Sequence, residues 1–162
     1  MAWVLWGAEV INLDRRADRL RAFNRLPWSL PWERLSATDG RQLSWNALGS
    51  AIHPDALREA LWAEERRVPT ICRRTGSFSP HLTLPAAGCA LSHRRAWRRL
   101  AHQRGHDWAL VLEDDVDAVA EGFGAKLGEL LRLLPSSWQI CYMGHHQAKG
   151  LLRAEQPPVF VE

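Results

Sequence analysis

Hydrophobic and polar positions along the chain switch between two periods, and the switching draws an alternation of strands and helices. Val10-Ile11-Asn12-Leu13, with Val4-Leu5-Trp6 just ahead of it, reads as a first short strand. It runs into Asp14-Arg15-Arg16-Ala17-Asp18-Arg19, after which Leu20, Phe23 and Leu26 recur at helical spacing; Asp14 offers an N-cap and Pro27 closes the segment. Trp32-Glu33-Arg34-Leu35 is a second strand, ending at the polar turn Ser36-Ala37-Thr38-Asp39-Gly40. From Arg41 to Leu84 the pattern weakens: Ala56 to Glu65 suits a helix with Pro54 near its start, and Arg73 to Pro80 reads as a turn-like flap.

Thr83-Leu84-Pro85 opens a long helix, with proline suited to its first turn. The pattern puts Cys89, Ala90, His93, Trp97, Leu100 and Ala101 on its apolar face and Arg94, Arg95, Arg98, Arg99 and His102 on its solvated face. Gly88 inside a helix costs about 1 kcal/mol relative to alanine, which points to close packing there. After Gly105 comes an unbroken apolar run, Trp108 to Leu112, which is how a strand covered on both faces reads. Phe123, Leu127, Leu130, Leu131 and Leu134 mark an amphipathic helix that stops at Pro135. Trp138 to Gly144 reads as another strand, and Val159-Phe160-Val161 as the start of a further one. The order predicts an α/β fold, a mostly parallel sheet flanked by helices.

The run Trp108 to Leu112 ends in four carboxylates within five residues: Glu113, Asp114, Asp115 and Asp117. Ligands of open α/β sheets bind beyond the carboxyl ends of the strands, where this cluster falls. Dense carboxylates suit a hard divalent ion, Mg2+ or Mn2+, bridged to a phosphate; an acidic turn capping the next helix is the plain alternative.

Composition narrows the class. The 162 residues, 46% hydrophobic and 24% charged, fit one globular domain. Nine tryptophans are more than a core of this size hides, so some lie on a surface. The net charge is only +3, and acids are interspersed with the arginine pairs, so a nucleic-acid footprint is not expected. Cys72, Cys89 and Cys141 are odd in number and lack metal-type spacing, which reads as free, mostly buried thiols in a reducing compartment. No long apolar segment or secretory signal is visible, so a cytoplasmic protein is expected.

Three motifs, in order, resemble glycosyltransferase family 25, the lipopolysaccharide and lipooligosaccharide sugar transferases and related collagen galactosyltransferases. They are Ile11-Asn12-Leu13-Asp14-Arg15-Arg16 with Asp18-Arg19, Gly88-Cys89-Ala90-Leu91-Ser92-His93 with Trp97, and Leu112-Glu113-Asp114-Asp115-Val116. Glu33 to Gly40 and the segment from Trp138 to Gly144 are secondary matches, and the likeness covers about residues 9–145 of a single domain. It implies a GT-A-like (Rossmann-like) fold and metal-assisted transfer of a hexose, galactose first, from a UDP-sugar donor to a saccharide acceptor of the cell envelope. It places Mn2+ or Mg2+ on Glu113 and Asp115, and the nucleotide sugar near Asn12, Arg15, Arg19, Asp39, Ser92, His93 and Asp114. His93 lies both in a motif and on the helix's apolar face, so a donor contact and a hydrogen-bonded core histidine both stay open.

Members of that family continue well past the strand at Trp138, so the resemblance also implies an incomplete, truncated sheet and names no catalytic base. A non-catalytic remnant or partner subunit is the alternative. An oligomer or second chain covering the missing half, and peripheral association with the inner face of the membrane, are compatible with either reading. A phosphohydrolase reading of the acidic strand end fails because no nucleophile and second acid stand on the first strand.

Overall fold

The computed structural model describes residues 5–71, 81–105 and 107–143. The chain divides into two compact units, Met1–Gly124 and Ala125–Glu162. In the first, three strands form a parallel sheet in the order β2-β1-β3: β1 is Leu5–Asn12, β2 Trp32–Ser36 and β3 Trp108–Glu113. The two apolar stretches expected at the start of the chain are one strand, with an irregularity in its pairing to β3 between Leu5 and Ala8. The α/β class expected from the pattern is the observed one, and the arrangement is Rossmann-like.

Helix α1 (Ala17–Phe23) connects β1 to β2 and is preceded by a 3-10 turn, Asp14–Arg16. Asp14 is not an N-cap. Leu13 precedes the turn and Arg16 the helix, neither with a side-chain cap bond, and the Asp14 carboxylate instead accepts from Arg34 and from Ser36 Oγ at 2.9 Å. The expected helix at Ala56 to Glu65 is α3 (Pro54–Glu65), after the single turn α2 (Trp45–Leu48). The long helix α4 is Leu84–His102, capped by Thr83 Oγ1, which accepts from the Ala86 N–H at 3.2 Å. The flap expected over Arg73 to Pro80 lies outside the described residues.

Strand alternation sorts the sheet's two faces. Glu9, Ile11 and Leu35 face α4, where Ile11, Leu35 and Ala96 form a buried cluster joined by Ala37 and Val111. Phe23 of α1 is fully buried, stacked on Trp28 with centroids 4.7 Å apart and edge-on to Trp32 at 5.2 Å.

The face of α4 that packs is not the one its hydropathy pattern picks out. Ala87, Gly88, Ser92 and Ala96 are buried, whereas Cys89 and Ala90 are exposed and Trp97 is 50% exposed. Close approach is the reason. A Cβ on Gly88 would meet Thr38 O at 2.7 Å and Gly40 N at 2.9 Å, and one on Gly40 would meet Leu84 O at 2.4 Å. Backbone-to-backbone contact of this kind admits only the smallest residues, so a stripe of small side chains outcompetes the larger apolar ones. Arg95 and Arg99, expected in solvent, reach back along this close-packed face: Arg95 donates to Ser36 O, and Arg99 Nε lies 3.0 Å from Glu9 Oε1.

In the second unit, helix α5 (Phe123–Leu133, beginning two residues earlier) follows the expected pattern, with Leu127 and Leu131 buried. The strand expected from Trp138 is not formed as far as Met143: these residues pair with no strand among the described residues, and Ile140 and Tyr142 are exposed. An apolar run becomes a strand only where a sheet edge accepts its backbone bonds. Gly144 and the expected strand start at Val159 lie outside the described residues. Among the described residues no helix is long and apolar enough to cross a membrane.

Candidate functional site

With β2 on one side of β1 and β3 on the other, the order of the sheet reverses between the carboxyl ends of β1 and β3. Such a reversal opens the crevice in which open α/β sheets take their ligands. Asn12 ends β1 here and Asp114 follows β3. Asn12 is 1% exposed, and its Nδ2 donates to Asp114 Oδ2 at 2.6 Å and to Arg16 O at 3.0 Å. Its Oδ1 accepts from Arg34 Nε at 2.8 Å, so the amide is held at both ends. Arg34, two residues before the end of β2, is a site residue that the sequence places in a strand and in a secondary family match without a role of its own. The alternation that puts Leu35 toward α4 is the signal that places Arg34 on the face of Asn12.

The three consecutive acids have three different surroundings. Asp114 is buried and receives Arg19 Nη1 at 3.0 Å as well as Asn12. Asp115, next along the turn, is largely exposed, with Oδ2 3.7 Å from the same Arg19 nitrogen. Glu113, last residue of β3, turns to α4: His93 Nε2 lies 3.1 Å and Cys89 Sγ 3.6 Å from its Oε1. Cys89 is therefore exposed rather than a buried thiol, because it sits one turn from His93 on the face of α4 that does not pack on the Gly40 turn; Cys141 is half-buried and Cys72 lies outside the described residues. His93 is raised to about 9, by hydrogen bonding to Cys89 and then to Glu113, and the carboxyl of Glu113 is held low chiefly by His93.

Arg15 and Asp39 form a second pair beside this centre, Nε to Oδ2 at 2.7 Å. Asp39 also caps the 3-10 turn Gly40–Gln42 by accepting from the Arg41 N–H at 3.0 Å, and that bond, followed by the one from Arg15, keeps its carboxyl below the ordinary range. Ser92 has no exposed surface. Its hydroxyl donates to Gly88 O at 2.7 Å and accepts from the Thr38 N–H at 2.9 Å, so it fixes the turn that carries Asp39. The residues singled out in the sequence thus fall into three neighbouring groups: Asn12, Arg19, Asp114 and Asp115; Arg15 and Asp39 over Ser92; and His93 with Glu113.

Mg2+ and Mn2+ are commonly held by one or two carboxylates plus substrate phosphates. Asp115 suits that mode, being acidic, exposed and next to a buried, already neutralised acid. Asp114 is committed to Asn12 and Arg19, and Glu113 to His93.

Fold and site together define a Rossmann-like α/β protein with an arginine-bridged acidic cluster at its strand ends. A model of glycosyltransferase family 25, described as an LPS biosynthesis protein, matches residues 8–150, and the chain belongs to that family. No curated protein and no solved structure matches the chain. Its activity class is accordingly sugar transfer in lipopolysaccharide biosynthesis.

Proposed function

We propose that the crevice between the ends of β1 and β3 binds a nucleoside diphosphate sugar, a UDP-hexose with galactose as first choice, for transfer to a cell-envelope saccharide in the cytoplasm. The observation that carries this is the junction of Asn12, Arg19 and Asp114 at the reversal of strand order. Arg19 is partly exposed and meets both acids through one nitrogen, so its other donors can turn to a diphosphate, which arginine forks bind well. Asp115 is the residue for Mn2+ or Mg2+, which when bound offsets the charge on the departing diphosphate. Arg15 and Asp39 stand where the base or ribose would lie, on a turn that Ser92 holds rigid. The GT-A-like character implied by the motifs agrees with this assignment of roles.

The test is a thermal-unfolding series with UDP, UDP-galactose and UDP-glucose, each with and without Mn2+. Binding predicts a rise in Tm with ligand concentration, larger with metal and largest for the true donor. An unchanged Tm with every nucleotide at millimolar concentration contradicts the proposal.

A further inference from the structure

Among the described residues, the group of three metal-type side chains that converges is not the acidic triplet. It is Cys89, His93 and Glu113, whose ligand atoms all lie within 4.8 Å of one another. Cys89 and His93 stand four residues apart on α4, one above the other on the same helix face, a spacing that lets two side chains reach one ion. Glu113 arrives from the end of β3, so a helix and a strand, both fixed in the first unit, present the three groups.

The two separations from Glu113 are close to those around one ion. With bonds of about 2.3 Å to sulfur and about 2.0–2.2 Å to nitrogen or oxygen, the ligand-to-ligand edges of a tetrahedral Zn2+ site are about 3.4–3.6 Å. Glu113 Oε1 already lies 3.6 Å from Cys89 Sγ and 3.1 Å from His93 Nε2. The third pair, Cys89 and His93, lies within 4.8 Å, so closure on one ion calls for these two side chains of α4 to draw together by rotation. The ring of His93 is also flanked by Trp97, centroids 6.1 Å apart.

We propose that Cys89, His93 and Glu113 form a three-ligand site for a borderline divalent cation of the Zn2+ class, distinct from any Mg2+ or Mn2+ held at Asp115. A thiolate, an imidazole and a carboxylate select Zn2+ or Co2+ over the hard ions that prefer all-oxygen surroundings. Three protein ligands leave a fourth position open to water or to a substrate oxygen, the pattern of reactive rather than purely structural zinc sites. Cys89 is exposed and His93 half-buried, so the ion has access from solvent.

The test is titration of Co2+ into the reduced, chelator-treated full chain, followed by absorption spectroscopy. It uses no nucleotide, so its outcome is independent of the donor-binding proposal. The expected result is one equivalent of Co2+ with a thiolate-to-Co2+ charge-transfer band and the strong visible bands of a four-coordinate ion. Zn2+ bleaches these bands and excess Mg2+ does not. Cys89→Ser abolishes the charge-transfer band, His93→Ala weakens binding by about 100-fold or more, above what loss of an outer-shell partner produces, and Asp115→Ala leaves the spectrum intact. Absence of the band in wild-type chain shown by circular dichroism to be folded overturns the proposal. So does a band that survives Cys89→Ser or that is lost in Cys72→Ser or Cys141→Ser instead.

Discussion

Asn12 Nδ2 donates to Asp114 Oδ2 at 2.6 Å across 102 residues of sequence, and that bond joins the carboxyl ends of β1 and β3. Both partners are buried, and Arg34 occupies the other end of the Asn12 amide. Asn12→Ala strips a donor from a buried carboxylate and an acceptor from Arg34. Leaving such groups unpartnered costs about 1–3 kcal/mol, more where a charge is involved, so a loss of about 2–3 kcal/mol is expected in urea unfolding, with the slope unchanged. A change within about 0.5 kcal/mol, the range of ordinary surface substitutions, would show that the junction is not holding the strand ends together.

Gly40 and Gly88 meet backbone to backbone, and the contact sets the distance of α4 from the turn carrying Asp39. Gly88→Ala gains about 1 kcal/mol of helix propensity but drives its Cβ into Thr38 O and Gly40 N, for which overpacking costs about 1–3 kcal/mol or more. Backbone atoms cannot swing aside as a side chain does, so net destabilisation is expected, with weakened nucleotide binding because the Ser92–Thr38 bond shifts. Gly128→Ala is the control. Among the described residues nothing lies within 4 Å of its added Cβ, and it sits inside α5, so it stabilises by up to about 1 kcal/mol. Equal effects of the two substitutions on chemical unfolding would refute the close-contact account.

Glu9 is 1% exposed in the middle of β1, and Arg99 reaches it from α4 while also touching Glu33 at 3.0 Å. Burial raises the Glu9 carboxyl above its ordinary 4.5, and Arg99 is the main influence pulling it back. A raised folded-state pKa means that protonated Glu9 favours folding: this contribution is complete below pH 4.5 and is lost as pH rises through the folded value. Arg99→Met removes the compensation, so its effect must grow with pH. At pH 7 a loss of about 2–3 kcal/mol is expected, somewhat below the ~3–5 kcal/mol of a fully buried pair because the guanidinium keeps about a third of its surface in water. At pH 4 the loss shrinks. Urea midpoints of both proteins at the two pH values give the answer, and a pH-independent difference would argue against a buried, charged Glu9.

Much of this was legible in the sequence. The strand–helix order, the carboxyl-end position of the acids and the packing role of Gly88 all follow from periodicity, turn chemistry and a glycine out of place in a helix. The buried face of α4 was not, because hydropathy favours Trp97 and Cys89, whereas a backbone contact selects Ala87, Gly88, Ser92 and Ala96. Nor do three adjacent acids reveal which one turns inward. That is decided by which donors await them, Asn12 and Arg19 for Asp114 and His93 for Glu113, and those donors lie far away in sequence. The partners of Arg34 and Arg99 are not legible because an arginine on a strand or a helix reads as solvated until the opposing group is known. The strand from Trp138 differs for another reason: its apolar residues suit a strand, but up to Met143 no described strand pairs with them, and the Trp138 N–H donates to Pro135 O at 3.1 Å.

In the proposed function the end of β3 receives the diphosphate of a nucleotide sugar, with a metal at Asp115. Calorimetric titration of UDP into the purified chain, with and without Mn2+ and repeated with Asp115→Ala, tests it most directly. Asp115 is exposed, so the variant is expected to fold normally. The expected result is saturable binding that Mn2+ strengthens and that loses its metal dependence in the variant. No UDP binding to folded wild-type chain, or binding equally responsive to Mn2+ in both proteins, would contradict it.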